Sequence, residues 1–458
     1  MGNEANLRVV VIGGVAAGMS AASQAKRRMP GAEVIVIERG PFISYGACGM
    51  PYNLEDPSRE MEDLVVLTPE VARKKRGIDV RTKSEVLAID TERKRVRYRE
   101  DGSEVEEELH YDRLIIATGA RPVVPPFPGT DLPGVFLLRE LDDGIAIKRF
   151  VAEKNVKKAI IVGGGYIGLE MADGLRGRGV EVHIIEMRDR VAAGFSAKPA
   201  ELAAEELERH GVGLSLETRV EAIESSADHR LRVKTDKGDF EGDMVLLSIG
   251  IRPNRELAEA AGIAIGETGA IAVDEMQRTN IQDVFAAGDC AEARHRVTNA
   301  PTYIPLGPTA NKQGKIAGAN AVGAGERFAG IVGTAAFKVF DIELARTGLS
   351  LEEAERAGLS AFESSSEHGT RGHGYPGGGR LHTTLIVERG TGRLLGAQLA
   401  GDEGAAGRVN VYAAALASGA TVGEIASYDL AYAPPFAPVY DPILIAATVA
   451  QKDLARQR

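Results

Sequence analysis

The sequence predicts an α/β protein carrying two Rossmann-like dinucleotide-binding domains. One observation is a unit of β-branched strand, glycine turn, helix, second strand and terminal acid that occurs twice in the chain. Another is that further apolar runs ending in glycine turns lie where each unit has to close. The third is size: 458 residues exceed one compact core, and 44% hydrophobic with 26% charged residues is the make-up of ordinary soluble domains.

The first unit runs from "RVVVIGG" (8–14) through the helix-like "MSAASQAKRR" to "AEVIVIERG", which ends on Glu38. Gly13, Gly14 and Gly18 let the backbone approach a pyrophosphate, the helix start offers free N–H groups, and the acid accepts from ribose hydroxyls. Val15 stands where the middle glycine is usual; Ala16 and Ala17 complete the turn, and Arg39 adjoins the acid.

The second unit, "KAIIVGGGYIGLEMADGLRGRGVEVHIIEM", has the full glycine pattern in Gly163, Gly165 and Gly168, with Tyr166 and Ile167 in the turn and Glu186 at the far strand end. "DRLIIATGARP" (112–122), with Ala117, Thr118 and Gly119, closes the first unit, and "DMVLLSIGIRPN" (243–254), with Gly250, closes the second. "TNIQDVFAAGDCAE" (279–292) is one more strand that stops at a glycine and Asp289, placed for a flavin's ribityl hydroxyls.

Two dinucleotide sites in one chain imply two dinucleotides exchanging electrons, and FAD with a nicotinamide is the economical pair. Glu186 favours NADH, because its carboxylate repels a 2′-phosphate; Arg188 and Arg190 just beyond leave NADPH open.

A net charge of -10 argues against broad nucleic-acid binding. Two cysteines build no disulfide framework, the start lacks a secretion signal, and no apolar run is long enough to span a membrane, so a cytoplasmic protein is expected. One cysteine, Cys48, lies in "SYGACGMPY" (44–52), directly after the first ribose-binding acid; the other, Cys290, follows Asp289 and is expected to be packing. His368 and His373 lack any ligand pattern, and no metal is expected.

Together these residues resemble the FAD-dependent pyridine nucleotide-disulfide oxidoreductase family over nearly the whole chain. The resemblance implies an FAD-binding domain at 1–119 and 246–328, an NAD(P)H-binding domain inserted at 120–245, and an α+β C-terminal dimerisation domain at 329–458. Cys48 stands alone in the redox loop, which excludes a cysteine-pair mechanism and points to the single-cysteine branch of coenzyme A disulfide reductases, NADH oxidases and persulfide reductases.

Ser44, four residues before the cysteine, and Pro51 with Tyr52 after it most resemble the coenzyme A disulfide reductases; Ala16 stands where peroxidases and water-forming oxidases carry a histidine. By the same resemblance the catalytic set is Cys48, Ser44, Tyr432 and Tyr375, the two tyrosines reaching a partner subunit's site in a homodimer. No histidine follows His382 to protonate a leaving thiol, and Phe436 replaces a tyrosine common in relatives.

Glu170 is implied to lie near flavin and nicotinamide, and Thr309 and Ala310 to begin a helix facing the flavin. Arg27, with Lys74, Lys75 and Arg76, is the expected holder of coenzyme A phosphates. The implied activity is NAD(P)H-dependent reduction of coenzyme A disulfide, Cys48 forming a mixed disulfide with coenzyme A. The alternatives are an NADH oxidase, a persulfide or polysulfide reductase, and a non-enzymatic FAD- and NADH-binding redox sensor.

Overall fold

The computed structural model describes residues 7–225 and 230–457; residues 1–6 and 226–229 of the two expected nucleotide domains, and Arg458, lie outside it. The β-branched runs form strands buried on both faces, as parallel strands flanked by helices must be. In the first sheet all five strands are parallel, in the order Val284–Ala286, Arg113–Ile116, Arg8–Ile12, Glu33–Ile37, Ile78–Arg81. Its two faces pack separate cores, one around Val9, Val11 and Ile115 and the other around Val10, Ile12 and Ile116.

The second sheet repeats the plan with Gly213–Ser215, Glu181–Ile185, Lys158–Val162, Met244–Leu247 and Val135–Phe136, again all parallel. A three-stranded antiparallel sheet accompanies each unit: residues 84–110 beside the first and, among the described residues, 220–242 beside the second.

The inserted unit is joined to the first by one antiparallel pair, Ala120–Pro122 with Ile251–Pro253. The expected boundary at 245/246 cuts through Met244–Leu247, whose four residues are fully sheathed in the second sheet. The chain leaves that sheet only after Leu247, so we place the insert at 123–250.

The C-terminal part is a five-stranded antiparallel sheet, in the order Ala335–Val339, Ile342–Gly348, Leu394–Gly401, Arg380–Glu388, Ala361–Gly369, packed with helices Ala405–Ser418 and Pro442–Arg456. The tight turn of its first hairpin, where Phe340 has φ +50°, docks into the inserted unit. There Asp173 accepts the Phe340 N–H at 3.1 Å and the buried Glu206 accepts that of Asp341 at 2.8 Å.

A single hydrophobic core containing Leu54, Leu141, Leu175 and Phe340 runs through all three parts. No helix among the described residues is long and apolar enough to cross a membrane.

Candidate active site

A cavity of about 650 Å³ opens between the two nucleotide units. Gly13, Ala16 and Ala17 of the first turn, Glu38 and Arg39 of the second strand end, and Ala117, Thr118 and Gly119 of the closing strand line it. Asp289 and Ala310 come to the same wall from the last strand and helix, Cys48 from the redox loop, and Tyr166, Ile167 and Glu170 from the inserted unit.

The first turn is built for close approach. Gly13 has φ +100°, and a Cβ there would overlap the Ala117 carbonyl; one on Gly18 would overlap the Gly13 carbonyl. Glu38 bonds back to this turn, accepting from the Gly14 N–H at 2.6 Å and the Gly40 N–H at 2.7 Å, while burial pushes its carboxyl up. A tight cradle with an acceptor at its far end fits the pyrophosphate and ribose of FAD.

The inserted unit carries the same construction. Glu186 accepts from the Gly164 N–H at 2.7 Å and the Arg188 N–H at 2.8 Å, and a Cβ on Gly168 would overlap the Gly163 carbonyl. Gly165, at φ -77°, faces open space, as does Gly250 at φ +116°. Gly163, Gly165, Gly168, Glu186 and Gly250 form a second cradle that does not line the cavity; the helix starting at Tyr166 connects it to the cavity. These residues fit a nicotinamide dinucleotide.

Cys48 is exposed to the cavity in a three-residue 3-10 turn, Ala47–Gly49, ahead of helix Met50–Glu55. The crowding of protein around the thiol pushes its pKa up, the carboxylate of Glu170 adds to this, and Arg139 opposes it. The chain's own groups therefore raise the thiol's pKa on balance, so their net effect at this site does not activate the nucleophile.

Two attachments fix the redox loop. Lys148 donates to the carbonyls of Asn53, Asp56 and Arg59 at 2.7, 2.8 and 2.7 Å and to Asn53 Oδ1 at 2.8 Å, tying down the end of the helix that follows Cys48. On the other side, helix Tyr166–Gly177 lies so close that a Cβ on Gly174 would sit 2.5 Å from the Pro51 carbonyl oxygen.

Sequence reasoning missed these attachments, and it missed Arg139, whose guanidinium meets Asp289 at 2.7 Å and the Ala120 carbonyl at 3.1 Å. The closely spaced glycines in "ADGLRGRG" were the available signal for the helix contact.

Ser44, held at φ +47°, lines a second cavity of about 390 Å³ that shares Ala16, Tyr45 and Gly46 with the first. Arg27, Arg76 and Lys315 line it too, with Arg76 donating to Ser23 Oγ at 2.9 Å and Arg27 to Gln24 Oε1 at 2.7 Å. Lys74 and Lys75 do not: they are exposed on the same helix, Pro69–Arg76, without reaching this cavity, because helical spacing turns only one basic residue of the run inward. Lys315, from helix Gly307–Ala321, replaces them.

Thr309 starts that helix but does not line the first cavity; its neighbours Gly307, Ala310 and Asn311 do. Cys290 is fully buried, its thiol directed at the carbonyls of Ile116 and Ala287. Tyr375 and Tyr432 line neither cavity of their own chain. The Gly372 N–H donates to Pro434 O at 2.9 Å, joining their two loops on a surface that also exposes Phe436, Val439 and Tyr440.

One group of potential metal ligands occurs among the described residues, Glu206, His210 and Asp341. Its Glu206 carboxylate is already occupied by the Asp341 N–H at 2.8 Å, Arg209 at 2.6 Å and His210 at 3.2 Å, so the cluster works as a clamp between the inserted unit and the C-terminal hairpin.

Two dinucleotide cradles, one lining the cavity of an open thiol and the other joined to that cavity by the helix Tyr166–Gly177, define a flavin- and nicotinamide-dependent oxidoreductase. Residues 7–314 match the pyridine nucleotide-disulphide oxidoreductase model and residues 334–442 its dimerisation domain, and the chain belongs to this family. It is 41% identical over 450 residues to the NAD(P)H coenzyme A polysulfide/persulfide reductase of Pyrococcus horikoshii, covering 98% of this chain and 99% of that one.

With the coenzyme A disulfide reductase of Staphylococcus haemolyticus the identity is 30% over 431 residues, covering 94% and 96%. A solved NAD-dependent persulfide reductase from A. fulgidus superposes with a TM-score of 0.95 at 40% identity, covering 98% of this chain and 84% of that one.

Proposed function

We propose that the protein uses NAD(P)H to reduce the sulfur–sulfur bond of a coenzyme A-bearing substrate at Cys48. The observation that carries this is a shared wall: Ala16, Tyr45, Gly46 and Asn311 line both cavities, so the one that holds Cys48 adjoins a pocket with Arg27, Arg76 and Lys315, three cations suited to the phosphates of coenzyme A. FAD, when bound in the first cradle, supplies two-electron transfer between nicotinamide and thiol chemistry.

Deprotonated Cys48 attacks one sulfur of a coenzyme A disulfide, forming a mixed disulfide and releasing one coenzyme A thiolate. Two electrons then cleave the mixed disulfide, returning the Cys48 thiolate and freeing the second coenzyme A as its thiol after protonation. Ser44 and the tyrosines Tyr375 and Tyr432, donated across a homodimer, position the attacking sulfur in this reading.

The higher identity to persulfide reductases favours a second acceptor in the same pocket. With a coenzyme A persulfide, Cys48 takes the terminal sulfur, coenzyme A thiolate leaves, and two electrons release hydrosulfide from the Cys48 persulfide. The cysteine content suits a cytoplasmic setting for both.

The test is anaerobic NADH oxidation with coenzyme A disulfide or persulfide, beside an aerobic run lacking both. Turnover that vanishes in Cys48→Ser, with FAD still bound, is expected. Turnover confined to the aerobic run overturns the proposal in favour of an oxidase.

A further inference from the structure

Tyr52 lies four residues beyond Cys48 on helix Met50–Glu55, and its hydroxyl donates to Glu170 Oε1 at 2.7 Å. Glu170 belongs to helix Tyr166–Gly177 of the inserted unit and lines the cavity with Cys48 and the first glycine turn. A hydroxyl from the redox loop thus grips a carboxylate from the nicotinamide unit. The grip spans two helices that Gly174 and Gly177 keep in close contact, since a Cβ on either would come within 2.5 Å of Pro51 or Glu55.

We propose that Tyr52 is a positioning residue for hydride transfer: its hydroxyl holds the Glu170 carboxylate on the cavity wall, facing the positive charge that develops on the nicotinamide ring. With FAD bound, the cofactor would take the hydride and its electron pair from dihydronicotinamide, which would leave a pyridinium cation beside the residues of this wall. A fixed carboxylate stabilises that cation more than the neutral ring, which is how a wall charge accelerates the step. The inference rests on the NAD(P)H–flavin class and is independent of which sulfur compound is the acceptor.

Arg139 and Asp289 act together with Glu170 on Cys48 and Tyr166. Tyr52 and the Cys48 thiol face Glu170 from the redox segment, Tyr166 and Asp173 share its helix, and Lys338 of the C-terminal hairpin stands near Asp173. Burial pushes the Glu170 carboxyl up and Asp173 adds to it, while the Tyr52 hydrogen bond pulls it down. Removing the hydroxyl therefore favours neutral Glu170 at the acid end of the working range.

The test compares NAD+ with NADH, binding measured by calorimetry near pH 6 and pH 8, with anaerobic flavin reduction followed across pH. Tyr52→Phe is expected to weaken NAD+ several-fold near pH 6, with less loss near pH 8 and NADH within about twofold. The acid limb of flavin reduction moves to higher pH. In a Glu170→Gln background Tyr52→Phe adds nothing.

Equal weakening of both nucleotides, an unmoved acid limb, or additive effects in the double variant overturns the proposal. Should Tyr52→Phe lose FAD, Glu170→Gln carries the same comparison: selective weakening of NAD+ supports the role and its absence refutes it. A wild-type protein whose flavin NADH does not reduce would refute the cofactor class instead.

Discussion

Gly174→Ala probes how the inserted unit is seated on the redox loop. The added Cβ falls 2.5 Å from the Pro51 carbonyl oxygen, well inside ordinary contact distance, and the atom it meets is backbone that cannot rotate away. Overpacking costs about 1–3 kcal/mol, and an overlap with backbone belongs in the upper part of that range, about 2–3 kcal/mol; the better helix propensity of alanine returns about 1 kcal/mol, leaving a net loss of about 1–2 kcal/mol. In a unit of this size that lowers the midpoint of thermal unfolding by about 3–6 °C.

Gly165→Ala is the matched control: its Cβ meets nothing within 4 Å and its φ of -77° suits any residue, so stability should hold. NAD(P)H affinity should instead fall at least about tenfold, because the methyl intrudes on the path of the pyrophosphate. Differential scanning fluorimetry and nucleotide titration of the two variants separate the effects. A Gly174→Ala protein as stable as wild type, reducing its flavin at the wild-type rate, would refute the close-packing argument.

Two further outcomes are expected. Arg27→Ala and Arg76→Ala should each raise KM for a coenzyme A-bearing substrate about tenfold with little change in kcat, whereas Lys74→Ala and Lys75→Ala leave it unmoved; steady-state kinetics with all four checks this. The Glu170 carboxylate adds to the upward push on the Cys48 pKa, so Glu170→Gln should move the midpoint of thiolate alkylation against pH downward; an upward or absent shift contradicts the assignment.

Features with a local physical signature were legible in the chain. Gly18 and Gly168 are required by carbonyls a few residues away, and the strand–turn–helix grammar around them is short-range. Cys48 was legible for the same reason, as a cysteine in a loop fixed by its distance from Glu38.

What was hidden depends on contacts between distant segments. Arg139 reaches Asp289 across 150 residues, Lys148 reaches Asn53 across 95, and Tyr52 reaches Glu170 across 118. The basic run 73–76 shows the same limit, since composition marked the cluster but the helix's orientation selected Arg76. The boundary at 245/246 failed because an apolar strand looks alike whether it ends one unit or begins the next.

The neck formed by Ala120–Pro122 and Ile251–Pro253 also dictates an order of assembly. The strand Arg113–Ile116 must wait for its neighbour Val284–Ala286, and the helix Ala16–Arg28 for its companion Gly307–Ala321, both made after the whole insert. Long sequence separation of this kind slows folding and leaves unpaired edges waiting on the ribosome. An insert whose two ends are paired side by side shortens that wait, so the early-made half of the flavin unit is completed by a closure that is local in space.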